Sequence, residues 1–344
     1  MEIEAITAEL IEAISNESPQ EWDFDSLAKK IFAYQYAHNA PYRAYCDAHG
    51  ISPSEELHWQ DIPAVPTDAF KSTNNPTCLP EEKRGKHFKT SGTTGETQGT
   101  HYFQDTSLYE KSIIEGWKDA GLPAIYNCLI LSQPPEEMPH SSLVHMMQTL
   151  RDHFAPEATF LIREGHISIA KIRQAIQQGS PITIFGTALA FLHLFESIDE
   201  PLELPDGSWA METGGYKGSG RSLSKKELYA LFEEKLGLPA SRIWNEYSMT
   251  ELSSQFYTRE IDRPHSGPPW TRIKVVNPET GAQVKPGETG YLHIYDLANL
   301  HSVLAIRTQD LATYHDERSF TLIGRDPSAI PRGCSRSADE TLSR

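Results

Sequence analysis

Thr90-Ser91-Gly92-Thr93-Thr94-Gly95, continued by Glu96-Thr97-Gln98-Gly99, follows a short strand-like Phe88-Lys89 and precedes a long alternation of helical and extended patterns. Glycines let a backbone turn tightly and present N–H groups to an anion, and hydroxyls add donors for phosphate oxygens. Such a loop can cradle a polyphosphate. No Gly-Lys-Ser/Thr closes it, so it is not a Walker A loop. Taken alone, the cluster reads equally well as a Gly-Thr surface turn, and its meaning depends on what surrounds it.

Upstream, residues 3–48 carry apolar groups at helical spacing, with Leu27, Ile31 and Tyr34 on one face and Pro19 and Pro41 as breakers. This spacing predicts helices packed on a larger body. The next segment, 61–72, contains Pro63 and Pro66 and predicts an extended path across the surface. Downstream, the pattern predicts helices over 106–120, 141–154, 168–178, 187–198 and 224–236. Strands are predicted over 125–131, 158–162, 181–185, 242–247, 272–276 and 290–295. The last helix opens on Ser224 with Glu227 three residues on, a capping box, followed by Leu228, Leu231, Phe232 and Leu236 at core spacing. Interleaved helices and short buried strands imply an α/β fold. From about 262 to 325 the turns of Asn277–Gly290 and the run Leu311–Gly324 predict a β-rich part.

Composition narrows the function classes. With 38% hydrophobic and 23% charged residues, the 344-residue chain has the apolar content of a folded globular protein. Its formal charge of −16 opposes non-specific attraction to nucleic acid or anionic lipid. No apolar run approaches bilayer length, and the acidic start lacks the basic and apolar regions of a signal peptide, so the expected location is cytoplasmic. Cys46, Cys78, Cys128 and Cys334 are widely spaced, which indicates neither a zinc site nor a disulfide framework.

Two further segments carry chemistry. Glu246-Tyr247-Ser248-Met249-Thr250-Glu251 follows a predicted strand. A tyrosine there can stack on a base, a threonine can donate to phosphate, and a carboxylate can hold Mg²⁺ against phosphates. The same hexapeptide also suits strand-end packing. Asp310, in Arg307–Leu311, can accept from vicinal ribose hydroxyls, with Gly324-Arg325 following; a lone aspartate equally suits a solvated turn.

In this order and at these separations, the three segments resemble the adenylate-forming superfamily of acyl-CoA synthetases, adenylation domains and luciferases. Residues 90–95 resemble its phosphate loop, 247–251 its adenine and magnesium motif, and 308–311 with Gly324-Arg325 its ribose-binding segment. Residues 62–71, 212–221 and 324–335 narrow the resemblance to LuxE-like acyl-protein synthetases. It implies the large N-terminal-type domain of these enzymes, with stacked mixed sheets, flanking helices and a small β-rich subdomain. One acyl-adenylating domain over 1–335, with a flexible tail at 336–344, is expected.

The resemblance further implies ATP and Mg²⁺. It assigns Ser91, Gly92, Thr93, Thr94 and Gly95 to the phosphates, Tyr247 to adenine, Thr250 to phosphate, Glu251 to Mg²⁺, and Asp310 with Arg325 to the ribose. Phe185, Gly186, Gly214, Gly215 and Tyr216 are candidates for the acyl pocket, although Phe185 and Tyr216 serve as readily as core aromatics, and the glycine pair marks close backbone approach. Two departures stand out. Thr97-Gln98-Gly99 replaces the usual Pro-Lys-Gly, so the loop cation is missing; His101 and Lys89 are nearby candidates to replace part of that charge, and a solvated surface role suits either equally well. About twenty residues follow Arg325, so the lysine of the superfamily's mobile C-terminal domain is expected to have no counterpart. The resembled synthetases carry the acyl group on a cysteine near the C-terminus, where Cys334 stands between Arg332 and Arg336; a spectator thiol is the alternative. The expected activity is ATP-dependent formation of an acyl-adenylate from a fatty or aryl acid, then transfer to a thiol, Cys334 and onward to an acyl-accepting reductase or carrier protein. An acid-CoA ligase and a non-catalytic nucleotide- or acyl-binding subunit are the alternatives.

Overall fold

Ser224 accepts from Glu227 N at 3.2 Å while the Glu227 carboxylate accepts from Ser224 N at 2.7 Å, so the capping box read from the sequence starts the helix Lys225–Leu236, and Gly237 ends it at φ +67°. The structure, a computed structural model, describes residues 2–15, 22–90, 98–215 and 223–326. Its helices are α1 (Glu2–Ser15), α2 (Phe24–His38), α3 (Ala40–Ala48), α4 (Ser107–Asp119), α5 (Ser142–Phe154), α6 (Ile169–Gln177), α7 (Ala188–Glu196) and α8 (Lys225–Leu236). The five helices predicted downstream of residue 100 are therefore present within one or two residues of their expected ends.

Short strands β1 (Val65–Pro66), β2 (Lys86–Lys89), β3 (Thr100–Phe103), β4 (Leu129–Leu131), β5 (Thr159–Phe160), β6 (Ile162–Arg163) and β7 (His166–Ile167) precede the longer ones. These are β8 (Thr183–Thr187), β9 (Trp209–Thr213), β10 (Ile243–Tyr247), β11 (Phe256–Arg259), β12 (His265–Ser266), β13 (Thr271–Val276), β14 (Thr289–Asp296), β15 (Ala305–Asp316) and β16 (Ser319–Arg325). Twelve of them form one sheet in the order β13-β14-β15-β16-β12-β11-β10-β9-β8-β4-β5, with β1 alongside β15. From β5 to β10 neighbouring strands are parallel, and from β10 to β13 they are antiparallel. The β-rich part shares this sheet with the parallel half. β9, a central strand without a counterpart among the predicted elements, is buried at every position, so it shows no alternation, and it carries a glutamate, Glu212.

The parallel half is covered on both faces. Ile184, Ala210 and Ile243 join Phe191, Leu194, Leu228 and Phe232 of α7 and α8. On the other face Phe185, Trp209 and Met211 join Ile113 and Trp117 of α4 and Met147 of α5. The N-terminal helices pack on the antiparallel half, where Leu27, Ile31 and Phe32 meet Ile273, Leu292 and Ile306. Segment 61–72 departs from the expected surface path. Val65 and Phe70 are buried, β1 pairs with β15, and Thr67–Lys71 turns as a 3₁₀ helix, because these apolar side chains lie between the prolines and the sheet. No helix among the described residues is long and apolar enough to cross a membrane.

Gln35 of α2 is fully buried and donates to the carbonyls of Asn299 and Leu300 at 2.9 and 3.2 Å while accepting from Leu304 N at 2.9 Å. Removing it strands three backbone groups, so Gln35→Ala is expected to cost about 2–4 kcal/mol in urea unfolding. A loss below about 0.5 kcal/mol would show that α2 is not docked through this residue.

Candidate active site

Parallel α/β sheets open a crevice at the carboxyl ends of their strands, where no side chain of a following strand fills the space. Here the ends of β8, β9 and β10, with one end of the β15–β16 hairpin, enclose a cavity of about 630 Å³. Tyr247, Glu251, Asp310, Arg325, Gly214 and Gly215 all line it, so residues more than a hundred positions apart in sequence converge. Asp310 and Arg325 are cross-strand partners in the β15–β16 pairing, which explains why the two motifs belong together.

Tyr247 donates its hydroxyl to Asp310 Oδ2 at 2.8 Å. Its ring is backed edge-on by Phe256 and Phe320, and burial, reinforced by Asp310, holds the phenol protonated far above its ordinary range. Arg325 donates to Gln309 Oε1 at 2.5 Å. Asp310 thus accepts from the phenol and directly follows the arginine-bound amide of Gln309, which makes it a fixed acceptor on the cavity wall. Glu251 is nearly fully buried, and Asn299 Nδ2 anchors its carbonyl at 2.7 Å. Among the described residues no group of three or more His, Cys, Asp or Glu forms a metal cage. Mg²⁺ in nucleotide sites takes one or two carboxylates plus phosphates, and Glu251 is one of the carboxylates on the cavity wall.

Other expected residues fall elsewhere. Thr250 is buried behind the wall, its hydroxyl 3.2 Å from Ser142 Oγ and its carbonyl accepting from His101 Nδ1 at 2.8 Å. Phe185 does not reach the cavity: it is fully buried edge-on to Trp117 and Trp209. A Cβ on Gly186 would stand 3.0 Å from Leu131 Cβ and 3.1 Å from the Phe191 ring, so this glycine serves helix packing. Gly214 takes φ +72° to turn the chain out of β9, and a Cβ on Gly215 would meet open space. His101 cannot replace the missing loop cation, because it is buried and burial lowers its pKa to about 4. Ser91, Gly92, Thr93, Thr94, Gly95, Tyr216 and Cys334 lie outside the described residues.

Sequence reasoning gave no role to a pair of buried acids beneath the cavity. Glu212 on β9 is fully buried, ion-paired with Lys225 Nζ at 2.8 Å and accepting from Tyr229 at 3.0 Å. Glu246 on β10 accepts from Thr213 Oγ1, its register neighbour on β9, and is also bonded to Ser248. It therefore ties the turn after β9 to the turn after β10. Burial, with a smaller contribution from Glu212, raises its pKa from 4.5 to about 7. The signal available in sequence was its place at the head of the hexapeptide, immediately before Tyr247.

Between pH 4.5 and about 7 the folded chain keeps a proton on Glu246 that the unfolded chain releases, so its contribution to stability falls as pH rises through that window and is flat above it. The full loss is about 3 kcal/mol. Glu246→Gln is expected to remove this part of the slope when urea unfolding is compared at pH 5 and pH 8, while Asp296, raised to about 6, still titrates in both proteins. Equal slopes in the two proteins would show that Glu246 is ionised throughout.

Comparison with known proteins adds a frame to this geometry. A sequence profile of the acyl-protein synthetase family LuxE matches residues 4–343. The long-chain-fatty-acid–luciferin-component ligases of Aliivibrio fischeri and Vibrio harveyi are 23% and 21% identical over 98% of this chain and 95% of each of theirs. Among solved structures, an open conformation of 2-hydroxyisobutyryl-CoA ligase in complex with 2-HIB-AMP and CoA superposes with a TM-score of 0.66 at 15% identity, over 88% of this chain and 74% of its own. ATP-bound MatB from Rhodopseudomonas palustris gives 0.50 at 14% identity, over 71% and 48%. At these identities the structural likeness concerns the fold.

Proposed function

The chain belongs to the LuxE family of acyl-protein synthetases, and from that membership we propose that it activates a fatty acid with ATP to an acyl-adenylate and passes the acyl group to a thiol. The observation that carries this reading is the convergence of Tyr247, Glu251, Asp310 and Arg325 on one cavity. The names of the relatives favour a long-chain acid. The adenosine would lie against Tyr247, with its ribose hydroxyls donating to Asp310 and Arg325 beside them. When bound, Mg²⁺ at Glu251 supplies positive charge to the phosphates.

The first step needs no protein base. A carboxylate oxygen bonds to the α-phosphorus, the bond from that phosphorus to the bridging oxygen breaks, and pyrophosphate leaves with the electron pair. Alignment and charge stabilisation are the protein's contribution. In the second step a thiolate attacks the acyl carbon, a thioester forms and AMP departs. Cys46, Cys78 and Cys128 are all buried, and burial raises their thiol pKa values, that of Cys46 to about 12, so each is a poor nucleophile. Cys334 is the remaining cysteine of the chain and the proposed carrier, with an acyl-accepting protein as the onward partner.

Acid-dependent exchange of pyrophosphate into ATP, measured with medium- and long-chain fatty acids and aryl acids, is expected to peak with a fatty acid, and a flat response across the panel would refute the enzyme reading. Glu251→Gln should lower the exchange about a hundredfold or more without shifting the unfolding midpoint. Intact mass after incubation with Mg-ATP and the preferred acid should show one acyl adduct that Cys334→Ser lacks. An adduct of the same size on Cys334→Ser would assign the carrier role to another group, and discharge by coenzyme A alone would favour an acid-CoA ligase.

A further inference from the structure

Thr90 and Gly99 close the base of the 91–97 segment: Thr90 N donates to the Gly99 carbonyl at 2.9 Å, and Gly99 N donates to Thr90 Oγ1 at 2.7 Å. The approach is close enough that a Cβ on Gly99 would stand 3.0 Å from Thr90 Cγ2 and 3.4 Å from the Phe70 carbonyl carbon. Thr90 lines the cavity that holds Tyr247 and Asp310. On the other side, Gln98 and Thr100 line a second cleft of about 700 Å³, so the two hollows flank one backbone bridge.

The charge of this second cleft is opposite to that of the chain. Among its described lining residues are Lys71, Arg84 and His38, and no aspartate or glutamate, although the protein carries a net charge of −16. Arg84 is held in place, with its guanidinium 4.8 Å from the Tyr102 ring centroid and its Nε donating to the Leu79 carbonyl at 3.1 Å. Among the described residues those contacts leave its two terminal nitrogens for a ligand. Lys71 follows Phe70 at the loop base, is largely buried, and forms a long ion pair with Asp68 at 3.6 Å, which a phosphate would share or displace. Asn75 Nδ2 is committed to the Phe70 and Thr100 carbonyls and Thr77 Oγ1 to the His301 carbonyl, and Ser72, Thr73 and Asn74 on the same wall add donors suited to phosphate oxygens.

We propose that this cleft is a pyrophosphate site, in which Lys71 and Arg84 take the terminal phosphates of ATP and hold the pyrophosphate as it leaves. The proposal rests on the adenylation reading and extends it. Residues 91–98 contain no lysine or arginine, His101 is buried and neutral, and Lys89 is exposed and lines neither hollow. Lys71 and Arg84 therefore supply the positive charge that the loop lacks. Charge develops on the bridging oxygen as its bond to the α-phosphorus breaks, so cations at the far end of the triphosphate assist departure of the leaving group.

Calorimetric titration of the full chain with pyrophosphate, ATP and AMP, each with Mg²⁺, tests this. In Lys71→Met combined with Arg84→Met, pyrophosphate and ATP are expected to bind about tenfold more weakly or worse, and AMP within about twofold of wild type. Lys71→Arg should recover part of the loss. Lys71→Met alone keeps the Arg84–Tyr102 stack and, with an unchanged unfolding midpoint, should still weaken pyrophosphate binding. Pyrophosphate binding within twofold of wild type in every variant, no pyrophosphate binding by the wild type, or AMP weakened as much as ATP would each overturn the cleft. Normal pyrophosphate and AMP binding without acid-dependent exchange would instead refute adenylation and leave the cleft standing.

Discussion

A carboxylate with no access to water must be satisfied by donors from the protein, and Asp296, fully buried at the end of β14, is satisfied by three. Ser253 N, Ser254 Oγ and Ala298 N donate to it at 2.9, 2.7 and 3.0 Å, while burial still lifts its pKa to about 6. Those donors come from two chain segments, so the carboxyl fastens the turn after Glu251 to the loop after β14. The fastening spreads outward. Trp270 Nε1 donates to Ser254 Oγ and to Ser112 Oγ of α4, each at 3.0 Å. Asn299 holds Ser253 Oγ at 2.6 Å and the Glu251 carbonyl at 2.7 Å, and Gln35 of α2 grips the backbone of Asn299 in turn. Glu251 is therefore presented by a turn fixed from the N-terminal helices, from α4 and from the antiparallel half of the sheet.

The position of that turn follows from the change in strand direction at β10. This strand is parallel to β9 on one side and antiparallel to β11 on the other, so helices crossing back on the parallel side leave its carboxyl end uncovered. Glu246 then joins the turns after β9 and β10, and His101 joins β3 to Thr250. The segments that flank the glycine-threonine cluster, the tyrosine-glutamate turn and the Asp310 hairpin are in this way parts of one hydrogen-bonded frame. A shift in any one of them would be transmitted to the others through bonds between buried groups, which have no water to substitute for a lost partner.

Much of this was legible in the sequence where local chemistry decides structure. The capping box at Ser224, the 3.6-residue spacing of α4 to α8 and the strand leading into Tyr247 depend on neighbours in the chain and were read correctly. β9 was not readable, because a strand buried on both faces has no period-2 signal and Glu212 argues against burial until Lys225 and Tyr229 are known to meet it. Phe185, for which a core role was the equal alternative, and Gly186 do not line the cavity, and sequence could not decide this for the same reason. A strand near a site carries residues for two faces and an end, and only the three-dimensional covering by α4, α5 and α7 tells which residue serves which. His101 was a candidate cation, with a solvated role as the alternative, because sequence shows proximity to the loop but not the desolvation that rules out both.

The electrostatics of the two hollows bear on how a nucleotide lies between them. The cavity that holds Tyr247 has six carboxylates on its wall (Glu212, Glu246, Glu251, Glu260, Asp262 and Asp310) against Lys225, Arg263 and Arg325, while His265 is lowered to about 3 by burial and adds no charge. Protonation of Glu246 near neutral pH removes one negative charge but not the sign. Such a wall favours the uncharged, donor-rich nucleoside and repels bare phosphate, whereas the cleft with Lys71 and Arg84 favours the reverse. The two hollows on either side of the Thr90–Gly99 bridge thus differ in charge, and on the proposed reading a triphosphate would place its terminal phosphates toward Lys71 and its ribose toward Asp310. On the proposed reading Glu251, a carboxylate on the same wall, would oppose a phosphate unless a divalent cation offset its charge.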